Sequence, residues 1–187
     1  SSTIWCSAGS GVPGRRCRRL VMGADATRPD AQDDVEVAAE VLGLLAARGE
    51  TLAVAESLTG GPVASRLVAV PGAGEWFRGG IVSYASDVKF SVLDVPEGPV
   101  VSAPAAAAMA TGVAAKLGAD VGLAVTGVAG PDPQEGHPPG TVFMAVALPY
   151  EDPITVLVGL PGDRARVRQF ACISLLDMLR RTLSRSG

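Results

Sequence analysis

Short apolar runs alternate with helical periodicity from residue 34 onwards. Residues 34–48, DVEVAAEVLGLLAAR, space their apolar side chains three and four apart, and Gly49 supplies the stop. TLAVAES at 51–57 is an apolar run of strand length, broken by Gly60-Gly61-Pro62. PVASRLVAV then resumes a helical pattern with proline in the first turn, where it is tolerated, and Pro71-Gly72 ends that helix. GGIVSYA at 79–85 reads as a second strand, and Ser86-Asp87 as the N-cap of the helix DVKFSVLDV. SAPAAAAMATGVAAKLG at 102–118 is an alanine-rich helix, capped by Ser102 and closed by Gly118.

DVGLAVTGVAG at 120–130 is a third strand running into GPDPQEGHPPG, a loop of turn formers. GTVFMAVALP and ITVLVGLP, separated by YEDP, form a hairpin. The last helix, 162–184, begins at Gly162-Asp163 and is basic towards its end, as the helix dipole favours. The order α-β-α-β-α-α-β-β-β-α predicts a three-layer α/β/α sandwich, and the terminal hairpin makes its sheet mixed, though mostly parallel.

A chain of 187 residues, 48% hydrophobic and 19% charged, suits one globular domain able to bury its own core. No apolar run approaches the roughly 20 residues that span a bilayer. A net charge of -3 with scattered arginines argues against a nucleic-acid surface. The one basic cluster, RRCRR at 15–19, lies in a segment without sustained periodicity, and its order does not match a signal peptide. Residues 1–30 are therefore read as a flexible leader or upstream extension, with Met22 a candidate start, and 31–187 as a single domain. Cys6 and Cys17 fall in that leader, and Cys172 falls in an apolar helical pattern as a core residue. Three cysteines without a framework fit a reducing cytoplasm.

Ligands of open α/β sheets bind at the carboxyl ends of the strands. Three such ends carry polar or glycine-rich sequence: ESLTGG, SYASDVK and TGVAGP. Ser57 would sit at the end of the first, with the amides of residues 58–61 leading into a helix, where free N–H groups stabilise negative charge. The stretch lacks the GK[ST] of a phosphate-binding loop and the G-x-S-x-G of a nucleophile elbow. By itself Ser57 is better read as a turn residue with only a capping role than as a nucleophile.

A serine nucleophile needs a base. The single histidine, His137, lies in the proline- and glycine-rich loop, which supports a Ser-His-Asp triad poorly. Only two of the 16 basic residues are lysines, Lys89 and Lys116, and lysine, unlike arginine, loses its proton when desolvated. Lys89 would lie in the first turn of its helix, where the dipole disfavours an ammonium. Tyr84, five residues earlier, could relay a proton. The alternatives are a half-buried strand aromatic and a solvated helix charge. Thr126, Gly127 and Gly130 offer amides and a hydroxyl without bulk, or simply a tight turn. Of Arg164, Arg166 and Arg168, one could reach a phosphate.

Together, ESLTGG (56–61), VPGAGEWFRGGIVSYASDVKFSVLDV (70–95), GADVGLAVTGVAGP (118–131) and PPGTVFMAVA (138–147) resemble the C-terminal domain of the competence/damage-inducible protein CinA, also found as a stand-alone nicotinamide-nucleotide amidase. The resemblance spans about residues 34–184. It implies hydrolysis of the carboxamide of nicotinamide mononucleotide, giving nicotinate mononucleotide and ammonia, without metal or cofactor, in a homo-oligomer. It maps the catalytic serine, tyrosine and lysine onto Ser57, Tyr84 and Lys89. Substrate contacts would come from Glu56, Leu58, Thr59, Gly60 and Gly61, from Thr126, Gly127 and Gly130, and from Arg164. The helix 34–48 and the hairpin edge are candidate self-association surfaces. The chain departs from the family pattern at Leu58, at Ala103-Pro104, and in DPQEGHPP after Gly130, a stiffer loop than the usual glycine-rich one. The alternatives to this activity are an inactive nucleotide-binding module and an amidase with a different substrate.

Overall fold

The computed structural model describes the backbone of residues 18–21 and 31–185, with side chains from residue 35. The described strands are β1 (Arg18–Val21), β2 (Leu52–Glu56), β3 (Phe77–Val82), β4 (Val121–Gly127), β5 (Thr141–Ala147) and β6 (Ile154–Gly159). They form one mixed sheet in the order β1-β6-β5-β4-β2-β3. β2 runs parallel to both β3 and β4, whereas β5 runs antiparallel to β4 and to β6. The helices are α1 (Ala31–Arg48), α2 (Pro62–Val68), α3 (Ser86–Leu93), α4 (Ala103–Leu117) and α5 (Arg164–Arg185). The α/β/α sandwich and the terminal hairpin are thus as the sequence order predicts. β1 is the addition: four residues of the stretch read as a leader pair in parallel with β6. Cys6, Cys17 and Met22 lie outside the described residues.

The two faces of the sheet are built from different residues. Leu52 and Val54 of β2, Val121, Leu123 and Val125 of β4, and Val142, Met144 and Val146 of β5 face the layer of α1, α2 and α5. Their alternates, including Ala53, Ala55, Ala124, Phe143 and Ala145, face α4 and α3. Period-two alternation therefore puts bulky side chains under α1 and α5 and mostly small ones under the alanine-rich α4. Gly122 takes this furthest, because a Cβ there would collide with the Ala110 carbonyl oxygen of α4. Cys172 is fully buried among the core side chains of α5.

Local signals locate most ends. Ser102 caps α4 by accepting from the Ala105 amide at 3.2 Å, and Gly49 and Gly118 take positive φ where α1 and α4 stop. Ser86 does not cap α3. It lies inside the helix, and Ala85 occupies the N-cap in extended conformation with no side-chain bond. Both predicted self-association surfaces are used within the chain. Ala38, Val41 and Leu45 of α1 are buried in the core shared with α5, and the outer edge of β6 carries β1. Among the described residues no helix is long and apolar enough to cross a membrane.

Candidate active site

β2, β3 and β4 are mutually parallel, so their carboxyl ends open on one edge of the sheet. The antiparallel β5 begins at that edge, opposite the end of β4. There a pocket of about 130 Å³ is lined by Ser57, Leu58, Tyr84, Lys89, Thr126, Gly127, Gly130 and Arg164 of the predicted residues. Val100, Val101, Val128, Ala129, Asp132 and Gln134 complete its wall and were not singled out from the sequence. Asp132 and Gln134 sit among prolines and glycines, where no periodicity marks a side chain as inward.

Ser57 follows β2 directly and is 7% exposed, with its amide donating to the Val125 carbonyl of β4 at 3.1 Å. The turn after it is held from two further directions. Both Glu56 carboxylate oxygens accept from the start of α2, one from the Gly61 amide at 2.9 Å and the other from Ala64 at 2.8 Å. Glu56 is 1% exposed and acts as the cap that the N-cap residue, Gly61, lacks. From α5, the Arg168 guanidinium donates through Nε and Nη2 to the Thr59 carbonyl, at 3.1 and 2.6 Å.

These bonds correct part of the sequence assignment. Glu56, Thr59, Gly60 and Gly61 do not line the pocket; they frame the turn that presents Ser57 and Leu58. The Gly61 amide is already engaged by Glu56. Thr59 is fully buried, and its hydroxyl has no partner.

Lys89 is the fourth residue of α3 and only 1% exposed, so the alternative of a solvated helix charge is excluded. Its Nζ donates to the Ser83 carbonyl at 2.8 Å and the Tyr84 carbonyl at 3.2 Å. Burial pushes its pKa below the ordinary lysine range, and the negative charge of Glu135 opposes that shift. A neutral amine has two N–H groups and one lone pair. Two carbonyls match the donors and leave the lone pair for a proton.

Tyr84 is 59% exposed, more open than the half-buried strand aromatic of the alternative reading. Its Oη accepts from Arg164 Nη2 at 2.7 Å, which leaves the phenol proton free to point elsewhere. Arg164 Nη1 also donates to the Gly130 carbonyl at 2.8 Å. One side chain at the start of α5 therefore ties together the loops after β3 and β4. Arg166 takes no such part; its amide donates to the capping carboxylate of Asp163 at 2.9 Å. His137 packs edge-on against Phe143, with ring centroids 5.7 Å apart, and is not among the pocket-lining residues. Among the described residues no three His, Cys, Asp or Glu side chains gather as a metal site.

The model of the CinA C-terminal domain matches residues 34–183. The chain belongs to that family. A CinA-like protein of Frankia casuarinae is 51% identical over 178 residues, covering 92% of this chain and 40% of the relative. A CinA-like protein of Gemmatimonas aurantiaca is 42% identical over 162 residues, covering 83% of this chain and 38% of its own length. The chain thus spans about two fifths of these curated relatives. Among solved structures, the competence damage-inducible protein A of Klebsiella pneumoniae superposes with a TM-score of 0.78 at 34% identity. That match covers 81% of this chain and 97% of the other. A CinA superfamily protein of Escherichia coli gives a TM-score of 0.77 at 29% identity, covering 86% and 99%. The CinA domain matched by sequence contains all three strand-end loops of the pocket.

Proposed function

We propose that this CinA domain is a nicotinamide-nucleotide amidohydrolase that works through Ser57. The observation that carries the reading is the burial of Lys89 in the pocket wall that Ser57 also lines, with both donors of its neutral form matched to carbonyls. A buried amine of lowered pKa gives up its proton more readily than an ordinary lysine and so can serve as the base that a serine nucleophile requires. Ser57 Oγ attacks the carboxamide carbon of nicotinamide mononucleotide as Lys89 accepts its proton, and the carbonyl becomes an oxyanion. Amides of the turn after Ser57, other than that of Gly61, face the negative charge. The C–N bond then breaks, and a proton returned through Lys89 and Tyr84 leaves with the nitrogen as ammonia. Water attacks the acyl-serine by the same route, releasing nicotinate mononucleotide and restoring Ser57. Arg164 and the loop after β4 are suited to the ribose phosphate, since three of the five guanidinium donors remain beyond the bonds to Tyr84 and Gly130.

The purified chain is expected to release ammonia from nicotinamide mononucleotide, measured by a coupled assay. Ser57→Ala and Lys89→Ala should each lower kcat by about 10³-fold or more while the protein still melts cooperatively. Turnover surviving in both folded variants rejects the mechanism. Thermal stabilisation by the nucleotide without ammonia would instead identify a binding module. Free nicotinamide and glutamine, assayed alongside, separate a nucleotide amidase from one of different substrate.

A further inference from the structure

The loop 131–140 is built of turn formers, yet the structure gives it a specific anchor. Gln134 and His137 pair as an isolated antiparallel bridge, through amide-to-carbonyl bonds of 3.1 and 2.9 Å in the two directions. Glu135 and Gly136 form the two-residue turn between them, both at positive φ, 51° and 77°. Asn, Asp or Gly is the ordinary occupant of such a turn, and glutamate is not. The side chain of Glu135 accounts for the exception. One carboxylate oxygen accepts from the Val100 amide at 3.1 Å and the other from the Val101 amide at 2.8 Å. Val100 and Val101 are 3% and 2% exposed and line the pocket, as does Gln134. The Val100 carbonyl in turn accepts from Thr126 Oγ1 at 2.9 Å. One peptide segment is thus gripped by β4 at one side and by the 131–140 loop at the other.

We propose that Glu135 is a positioning residue of this site: its carboxylate staples the 131–140 loop to Val100 and Val101 and so fixes the wall of the pocket that also holds Ser57 and Lys89. Its charge has a second consequence. Titratable and charged groups around Lys89 are Asp87 on α3, Asp94 just after it, Lys116 on α4, Tyr84 before α3, and Asp132 and Arg164 at the pocket. The negative charge of Glu135 acts on the amine and favours the protonated form. The same carboxylate therefore shapes the pocket and keeps its base from losing the proton too early.

The catalytic role of the pocket rests on the amidase reading, but the staple can be tested without a substrate. Lys89 and Lys116 are the only lysines, so competitive acetylation with acetic anhydride, read site by site by mass spectrometry, compares the pocket amine with an internal reference. In Glu135→Ala the high-pH labelling rate of Lys89 relative to Lys116 should rise about tenfold, the equivalent of losing one charge-assisted hydrogen bond. In Glu135→Gln, which keeps the shape and one of the two acceptors but removes the charge, the midpoint of Lys89 labelling should move to lower pH. Kinetically, Glu135→Ala should raise KM for nicotinamide mononucleotide by about tenfold with a smaller change in kcat. The rising limb of the Glu135→Gln pH–rate profile should shift to lower pH, a displacement that general loosening would not produce. Folded variants with unchanged relative rate and unchanged midpoint overturn the proposal. If the wild-type chain releases no ammonia, the amidase reading fails and the labelling still decides the staple.

Discussion

The hydroxyl of Tyr84 meets the Arg164 guanidinium at 2.7 Å, and its side chain is more than half exposed. Those two facts separate its contribution to chemistry from its contribution to folding. Tyr84→Phe removes the oxygen and keeps the ring, so stability should change by less than about 0.5 kcal/mol. Turnover of the nucleotide should fall by about 10²-fold, as for loss of one acid–base participant. Equal kcat/KM for the phenylalanine variant and the wild type would remove Tyr84 from the relay. Tyr84 and Lys89 were legible from the sequence because chemistry at a strand end narrows the choice, and because lysine is so scarce here. Arg168 and Glu135 were not. Their partners are 109 and 34–35 residues away, and no local pattern announces a bond made by a folded backbone to a distant side chain. Glu56 was placed in the right turn with the wrong task, because an acid before a helix can face a ligand or the helix itself. Only the coordinates of the Gly61 and Ala64 amides decide between them.

At the scale of elements, the alternation of strand and helix determined nearly everything, since each apolar run was bounded by glycine or proline. The exceptions are instructive. Ser86 has the composition of an N-cap, yet α3 begins one residue earlier than that reading allows, and the first turn is anchored through Lys89 instead. β1 could not be read, because four residues amid a basic cluster carry no alternation; its place comes from the open edge of β6. The close contact of α4 with the sheet was hidden as well, although its cause is plain in sequence: alanines on the helix facing Gly122 on β4. Gly122→Ala should force α4 off the sheet, because the new Cβ would meet the backbone carbonyl of Ala110 rather than a movable side chain. A destabilisation of about 1–3 kcal/mol is expected from such overpacking, visible as a lower midpoint in urea. Gly43→Ala on α1 is the control, since a Cβ there has nothing within 4 Å. Equal midpoints for the two variants would refute the packing argument.

For the molecule as a whole, the site opposes the fold. Among the described residues Lys89 is the largest side chain buried to this degree, and it lies where the amine is more easily deprotonated than in the unfolded chain. Between its lowered native pKa and the ordinary lysine value of about 10.4, the unfolded state binds more protons than the native one. Unfolding free energy therefore rises with pH through that window as far as this group is concerned. Below the native pKa the full cost of burying the ammonium is present. The proposed mechanism requires the same deprotonation, so activity and this part of the stability should climb together as pH increases. Lys89→Met keeps the length and apolar stem but removes the titrating atom. It should abolish turnover and flatten the pH dependence of Tm in the range below the ordinary lysine value of about 10.4. The slope is the decisive quantity, because the absolute Tm also contains the unpaired carbonyls of Ser83 and Tyr84 that the methionine would leave. Scans of wild type and variant across that range, at constant ionic strength, give that slope for each. Burial of a reluctant ammonium makes the variant's Tm fall relative to the wild type's as pH rises and Lys89 sheds its proton, whatever the constant offset from those carbonyls. Parallel curves would mean that Lys89 titrates alike in the folded and unfolded chain, and its assignment as the base would then lose its physical ground.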